Sequence, residues 1–218
     1  NECIITSNRD ESPLRNATGL SEYFTENNKR YLIAKEPLRG GTNTAIGENK
    51  RNTILLNGAF KPHNMTKKYG LSRGLVVLKS LDYKDVFDFA DHFDFDSIQP
   101  FTMVDFYDTI RELKWDGTTI YRKEYDKNKP HLWASEQMYL QKAQQDRLEW
   151  FDNLLSDKEL SPQKILDFHF HGGNGDPEND MVMNRGNIVK TISISQISEG
   201  AHGKLVTHFD LENGGNDT

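Results

Sequence analysis

Cys3-Ile4-Ile5-Thr6-Ser7-Asn8-Arg9-Asp10-Glu11 is the stretch on which the fold turns. Its first half, Cys3 to Thr6, is a short apolar and β-branched run, and reads as a strand. Its second half is wholly polar and sets Asn8, Arg9, Asp10 and Glu11 at that strand's end. Arg9 and Asp10 read either as an ion pair at a tight turn or as the charged groups of a site. Asn8 satisfies turn backbone in the plainer reading, and Glu11 is then a solvated carboxylate.

Working outward, further β-branched and apolar runs follow. Tyr31 to Ala34, Asn43 to Ile46 and Thr53 to Asn57 read as strands. Arg73 to Ser80, with Ser72 before it, and Tyr83 to Phe93 carry helical spacing. Phe101 to Tyr107, Ile110 to Trp115 and Thr118 to Tyr125 form a meander, with Asp116-Gly117 as a hairpin turn. His131-Leu132-Trp133 reads as the start of another strand. Glu136 to Leu155 reads as one long amphipathic helix, with Leu140, Ala143, Leu148, Phe151 and Leu155 inward. Ser161-Pro162 opens a shorter helix, and Ile188 to Ser195 and Leu205 to Leu211 close the chain as strands. Strands, helices, strands, helices, strands is the order of an α+β protein with sheet layers covered by helices. A single domain over 1–211 is expected, with a frayed polar tail over 212–218.

The 27 basic and 33 acidic residues leave a formal charge of -6. No basic stripe interleaves with aromatics, so nucleic acid is not an expected partner. No apolar run approaches the ~18 residues of a membrane span, and no targeting pattern is readable. The single cysteine, Cys3, excludes a disulfide within the chain, which fits a reducing, cytoplasmic setting. A small-molecule substrate or ligand is the expected partner, and self-association into a homo-oligomer stays open.

Asn8-Arg9-Asp10-Glu11 after a strand is the motif that names the NRDE family, the relatives of the transport and Golgi organisation protein 2. Other segments are similar to that family in order: Gly40-Gly41-Thr42, Leu55-Leu56-Asn57-Gly58-Ala59-Phe60, Ser72-Arg73-Gly74-Leu75, Trp115-Asp116-Gly117 and His131-Leu132-Trp133-Ala134-Ser135. Gly175-Asp176-Pro177-Glu178-Asn179, Val182-Met183-Asn184-Arg185-Gly186 and Thr191-Ile192-Ser193 follow. The resemblance covers nearly the whole chain. It implies the αββα sandwich of N-terminal-nucleophile hydrolases, two mainly antiparallel sheets flanked by helices.

It also implies a chemistry. In such enzymes a terminal Cys, Ser or Thr attacks an amide carbonyl, and its own α-amino group, of pKa ~7.7–8.0, takes the proton. Arg9 would then lower the thiol pKa and Asp10 would orient the terminal ammonium, with Asn8 beside them. Asn57 would donate to the oxyanion, or cap the turn at a strand end. Arg185 would hold a substrate carboxylate, or lie on the surface. Ser135-Glu136 stands where related hydrolases often carry an Asn as a second donor, so Ser135 reads as a substrate contact or a helix N-cap. The expected activity is hydrolysis of a small amide C–N bond. The alternative is a non-catalytic carrier of a small molecule, haem or lipid.

Family members begin Met-Cys and run a first strand before the NRDE strand, whereas this sequence begins within the NRDE strand. The expectation is an open slot beside Cys3 to Ser7. Only four residues separate Cys3 from Asn8, too few for a strand, a turn and a second strand. Cys3 therefore reads as a buried structural thiol rather than as a nucleophile exposed by cleavage after Glu2. No cofactor and no metal are implied. His169-x-His171 with Asp176 and Glu178 contains ligand types, but His at a helix end also complements the dipole.

Overall fold

The computed structural model describes residues 3–17, 19–63, 69–157, 159–201 and 203–217. The first strands are β1 (Cys3–Glu11), β2 (Ser21–Phe24), β3 (Arg30–Ile33), β4 (Thr44–Gly47) and β5 (Asn52–Asn57). Then come α1 (Arg73–Ser80), α2 (Val86–His92), β6 (Phe101–Phe106), β7 (Ile110–Trp115) and β8 (Ile120–Tyr125). The chain ends with α3 (Gln141–Leu155), α4 (Pro162–His171), β9 (Asn184–Arg185), β10 (Val189–Gly200), β11 (Gly203–Asp210) and β12 (Gly215–Asp217). No described helix is long and apolar enough to cross a membrane.

The chain forms two compact units. One joins residues 1–20 to 141–218, and the other is 21–140. Each is an antiparallel sheet with helices on it, so the protein is α+β and carries the two αβ halves of which an αββα fold is made.

The middle unit is a seven-stranded meander, β2 to β8 in sequence order. Its core lies where α1 and α2 meet the sheet, around Tyr31, Leu55, Val76, Phe89, Phe101, Met103 and Leu113. One charged pair is sealed in that core. Arg51 Nε donates to Asp105 Oδ2 at 2.8 Å, with the two residues 1% and 0% exposed. Thr53 Oγ1 and the Val86 amide also donate to Asp105, and Arg51 Nη1 donates to the Ser80 and Tyr83 carbonyls. Burial pushes the Asp105 carboxyl up, with Arg51 and Thr53 pulling the other way. The network ties β5 and β6 to the turn between the helices.

The other unit is built on β10. It pairs with β1 on one side and β11 on the other, β9 joins its start, and β12 extends β11. Helix α4 lies on this sheet and is tied at both ends. Gln196 Nε2 donates to the Pro162 carbonyl at 2.9 Å, and Asn8 Nδ2 donates to the His169 carbonyl at 3.1 Å. Helix α3 is held by Arg147, which is buried and donates to the Asn179 and Asp180 carbonyls.

Several expectations change. The NRDE residues lie within β1 rather than after it, because β10 goes on pairing with them to Glu11. The tail is not frayed, since Gly215 to Asp217 pair with β11; Asn1, Glu2 and Thr218 lie outside the described residues. His131 to Trp133 form no strand. Their rings pack on Tyr125, and Trp133 Nε1 donates to Glu112 at 2.8 Å. Helix α3 starts at Gln141, not Glu136, and its buried residues are Ala143 and Arg147, whereas Leu140 is 74% exposed.

Candidate active site

Alternation along β1 sorts the motif onto two faces. Asn8 and Asp10 turn toward the side that α4 covers. Asn8 Nδ2 donates to the carbonyls of His169 and Met181, at 3.1 and 2.7 Å. That fixes Asn8 Oδ1 as an acceptor, and His169 Nδ1 donates to it at 2.8 Å. Asp10 accepts from Thr191 Oγ1 at 2.7 Å. Between Arg9 and Asp10 the register slips: Arg9 opposes Ser193 and Asp10 opposes Thr191, so Ile192 is the extra residue of a bulge on β10.

Arg9 turns to the opposite face and is buried there. Its row runs Arg9, Ser193, Asp210 across three strands, and the next row runs Ser7, Ser195, His208, Asp217. Ser195 Oγ and His208 Nδ1 are 2.8 Å apart, and both residues are buried. Burial lowers the His208 pKa and the Arg9 charge lowers it further, against the pull of Asp217 and Asp210. The imidazole is therefore neutral at neutral pH. Asp210 accepts from Asn16, Asn213 and the amides of 212 and 213, so its carboxylate closes the turn into β12. Sequence reasoning missed this polar face. The available signal was the alternation Ser193-x-Ser195 opposite His208-x-Asp210.

Asn57 and Ser135 belong to the middle unit. Asn57 ends β5, and its carbonyl accepts from Ser135 Oγ at 2.7 Å and from the Gln137 amide at 3.1 Å. The Asn57 side-chain amide makes no hydrogen bond to the described residues. Gly58 follows with φ +86°, and a Cβ there would stand 2.8 Å from the Gln137 nitrogen. Ser135 Oγ also accepts from the Met138 amide at 3.2 Å, so this hydroxyl caps the turn before α3. Arg185, on β9, donates to the Glu178 carbonyl and the Asn179 side chain.

Cys3 is exposed, not buried. Its thiol pKa is nevertheless raised, first by the desolvation its neighbours impose and then by Glu199, its cross-strand partner, with Lys204 opposing. A nucleophilic cysteine needs the reverse. β1 pairs with β10 and with no other described strand, so its second edge is free of strand partners. Among the described residues no group of three or more His, Cys, Asp or Glu gathers to hold a metal.

No protein-family model matches the chain, and no curated protein matches it. Among solved structures it is similar to penicillin V acylase from Agrobacterium tumefaciens, at 11% identity and TM-score 0.45 over 97% of this chain and 78% of that one. It is also similar to two variants of conjugated bile acid hydrolase from Clostridium perfringens. One is 10% identical with TM-score 0.42 over 100% of this chain and 84% of the other. The second is 9% identical with TM-score 0.40 over 100% and 88%. Likenesses this distant assign no activity and no residue role.

Proposed function

We propose that this protein is a hydrolase of a small amide C–N bond, of the N-terminal-nucleophile type and the NRDE family, with Arg9 as the cation of its site. The observation that carries the reading is the Arg9 guanidinium, buried on a hydroxyl-lined sheet face of the edge strand β1. A cation held in such low-dielectric surroundings acts strongly on a thiolate or an oxyanion beside it. Among the described strands β1 pairs with β10 alone, so it lies at the edge of its sheet. In this reading Asn8 and Asp10 support the strand from its helix side.

The test is amine release from a panel of N-acyl amides by the native protein, with its mature terminus defined by intact mass before and after thiol alkylation. Turnover that alkylation abolishes, and that Arg9→Leu lowers by about 10²-fold or more while the protein stays folded, is the expected result. Turnover insensitive to both treatments, or none on any amide, sinks the reading.

One feature favours a second reading, a non-catalytic carrier of an apolar small molecule. An open cleft of about 570 Å³ is lined by Ser12, Pro13, Leu14, Asn187, Ile188, Lys190 and Glu212. Leu14 and Ile188 stand 83% and 76% exposed at it. Among the described residues no His, Cys, Met or Tyr lines it, and the exposed Leu14 and Ile188 side chains suit a lipid chain. Saturable fatty-acid binding that Leu14→Ser and Ile188→Ser weaken, in a protein without amidase activity, supports the carrier.

A further inference from the structure

We infer that His169 is a positioning residue, which acts through Asn8 to fix the segment of β1 that carries Arg9 and Asp10. The inference rests on the reading of that segment as the site.

The latch has three hydrogen bonds. Asn8 Nδ2 places its two hydrogens on the His169 and Met181 carbonyls, and Asn8 Oδ1 accepts from His169 Nδ1 at 2.8 Å. The Asn8 amide has no donor left over. His169 holds it through its backbone and its ring at once, so one residue of α4 controls both ends of the amide. His169 is itself buried, with its ring edge-on to Phe168, and the Met181 carbonyl belongs to the segment that Arg147 of α3 clasps. The anchor is therefore set in two helices, while the group it holds sits on an edge strand.

The position of the latch gives it its effect. Among the described strands β1 pairs with β10 alone, and its pairing register slips between Arg9 and Asp10. A polar strand with an interrupted register is weakly specified and can slide. Asn8 precedes Arg9, the last residue before that slip. Pinning it fixes the alternation beyond it, Arg9 on the hydroxyl-lined face and Asp10 on Thr191 Oγ1. A one-residue slip would exchange those faces. Hydrophobic packing cannot supply this control, because Ser7 to Glu11 contain no apolar side chain.

The test is amide NMR with hydrogen exchange on His169→Phe, His169→Asn and Asn8→Ala. The Asn amide nitrogen reaches about as far from its backbone as the Nδ1 of His, so His169→Asn is the conservative rescue. We expect His169→Phe and Asn8→Ala to move the Arg9, Asp10 and Thr191 amide signals and to speed their exchange about tenfold. Signals of Leu205 to Thr207 on β11 should stay in place, and His169→Asn should restore the native pattern. If His169→Phe does not fold, Asn8→Ala and His169→Asn carry the same comparison. Unmoved signals at 9, 10 and 191 in a folded variant, equal movement at 205–207, or failure of His169→Asn to restore them overturns the inference. Amide turnover of the native protein is measured alongside. Its absence removes the proposed function, while the NMR comparison still decides whether the latch exists.

Discussion

Replacing Asp105 by Ala should nearly unfold the middle unit. The substitution leaves the Arg51 guanidinium, 1% exposed, without its counter-charge. Breaking a buried pair from one side costs about 3–5 kcal/mol. Thr53 Oγ1 and the Val86 amide lose their acceptor as well, at about 1 kcal/mol each. The total, about 5–7 kcal/mol, rivals the whole stability of an ordinary domain, about 5–15 kcal/mol. Taking both charges away together is a different perturbation. Arg51→Met with Asp105→Leu removes the desolvated ions and fills the space with apolar atoms, and should lie within about 2 kcal/mol of the native protein. Urea unfolding followed by circular dichroism and tryptophan fluorescence, over the complete double-mutant cycle, measures the coupling. A loss below about 1 kcal/mol for Asp105→Ala alone would show that water reaches the pair. A double variant no more stable than the single one would show that the network, not the unpaired charge, sets the cost.

Acid should destabilise the other unit through His169. Burial, helped by the Arg147 charge, lowers its pKa from 6.5 to about 3, so the folded state binds fewer protons than the unfolded chain between those values. This contribution is complete above pH 6.5 and is lost as pH falls toward 3, up to about 5 kcal/mol in total; urea midpoints of native protein and His169→Asn that decline in parallel would refute it. Gly58→Ala should cost about 1–3 kcal/mol, from a positive φ and a Cβ driven toward the Gln137 backbone, read as a lowered thermal midpoint. Cys3 should alkylate more slowly than a free cysteine at pH 8, and Glu199→Gln should speed it, because Glu199 is one cause of the raised thiol pKa; unchanged rates would exclude that cause.

The elements legible in the sequence were those whose own residues decide them. Thr53 to Asn57 and Phe101 to Trp115 are apolar and β-branched enough to form strands under any pairing, and α1 runs from Arg73 to Ser80 as its spacing predicts. Elements decided by a partner stayed hidden. β2 is Ser-Glu-Tyr-Phe and β12 is Gly-Asn-Asp, and only a neighbouring edge makes them strands. Charge normally faces solvent, and the carbonyls that hold Arg147 inside come from residues 179 and 180, far along the chain. The site was half legible in the same sense. The motif residues all lie on β1, while the polar face of Ser195, His208 and Asp210 arises only when β10 and β11 pair.

The pairing of Glu11 with Lys190 means that β1 must wait for a strand made about 180 residues later. At synthesis rates of about 5–20 residues per second, β1 spends roughly 10 to 40 s outside the ribosome before β10 exists. In that interval the meander of 21–140 can form from neighbours in sequence, whereas Ile4 and Ile5 face solvent and other nascent chains. The polar run Ser7 to Glu11 then acts as a solubilising guard on a strand that would otherwise seek the wrong edge. The same charged residues proposed for the site thus protect the chain at birth.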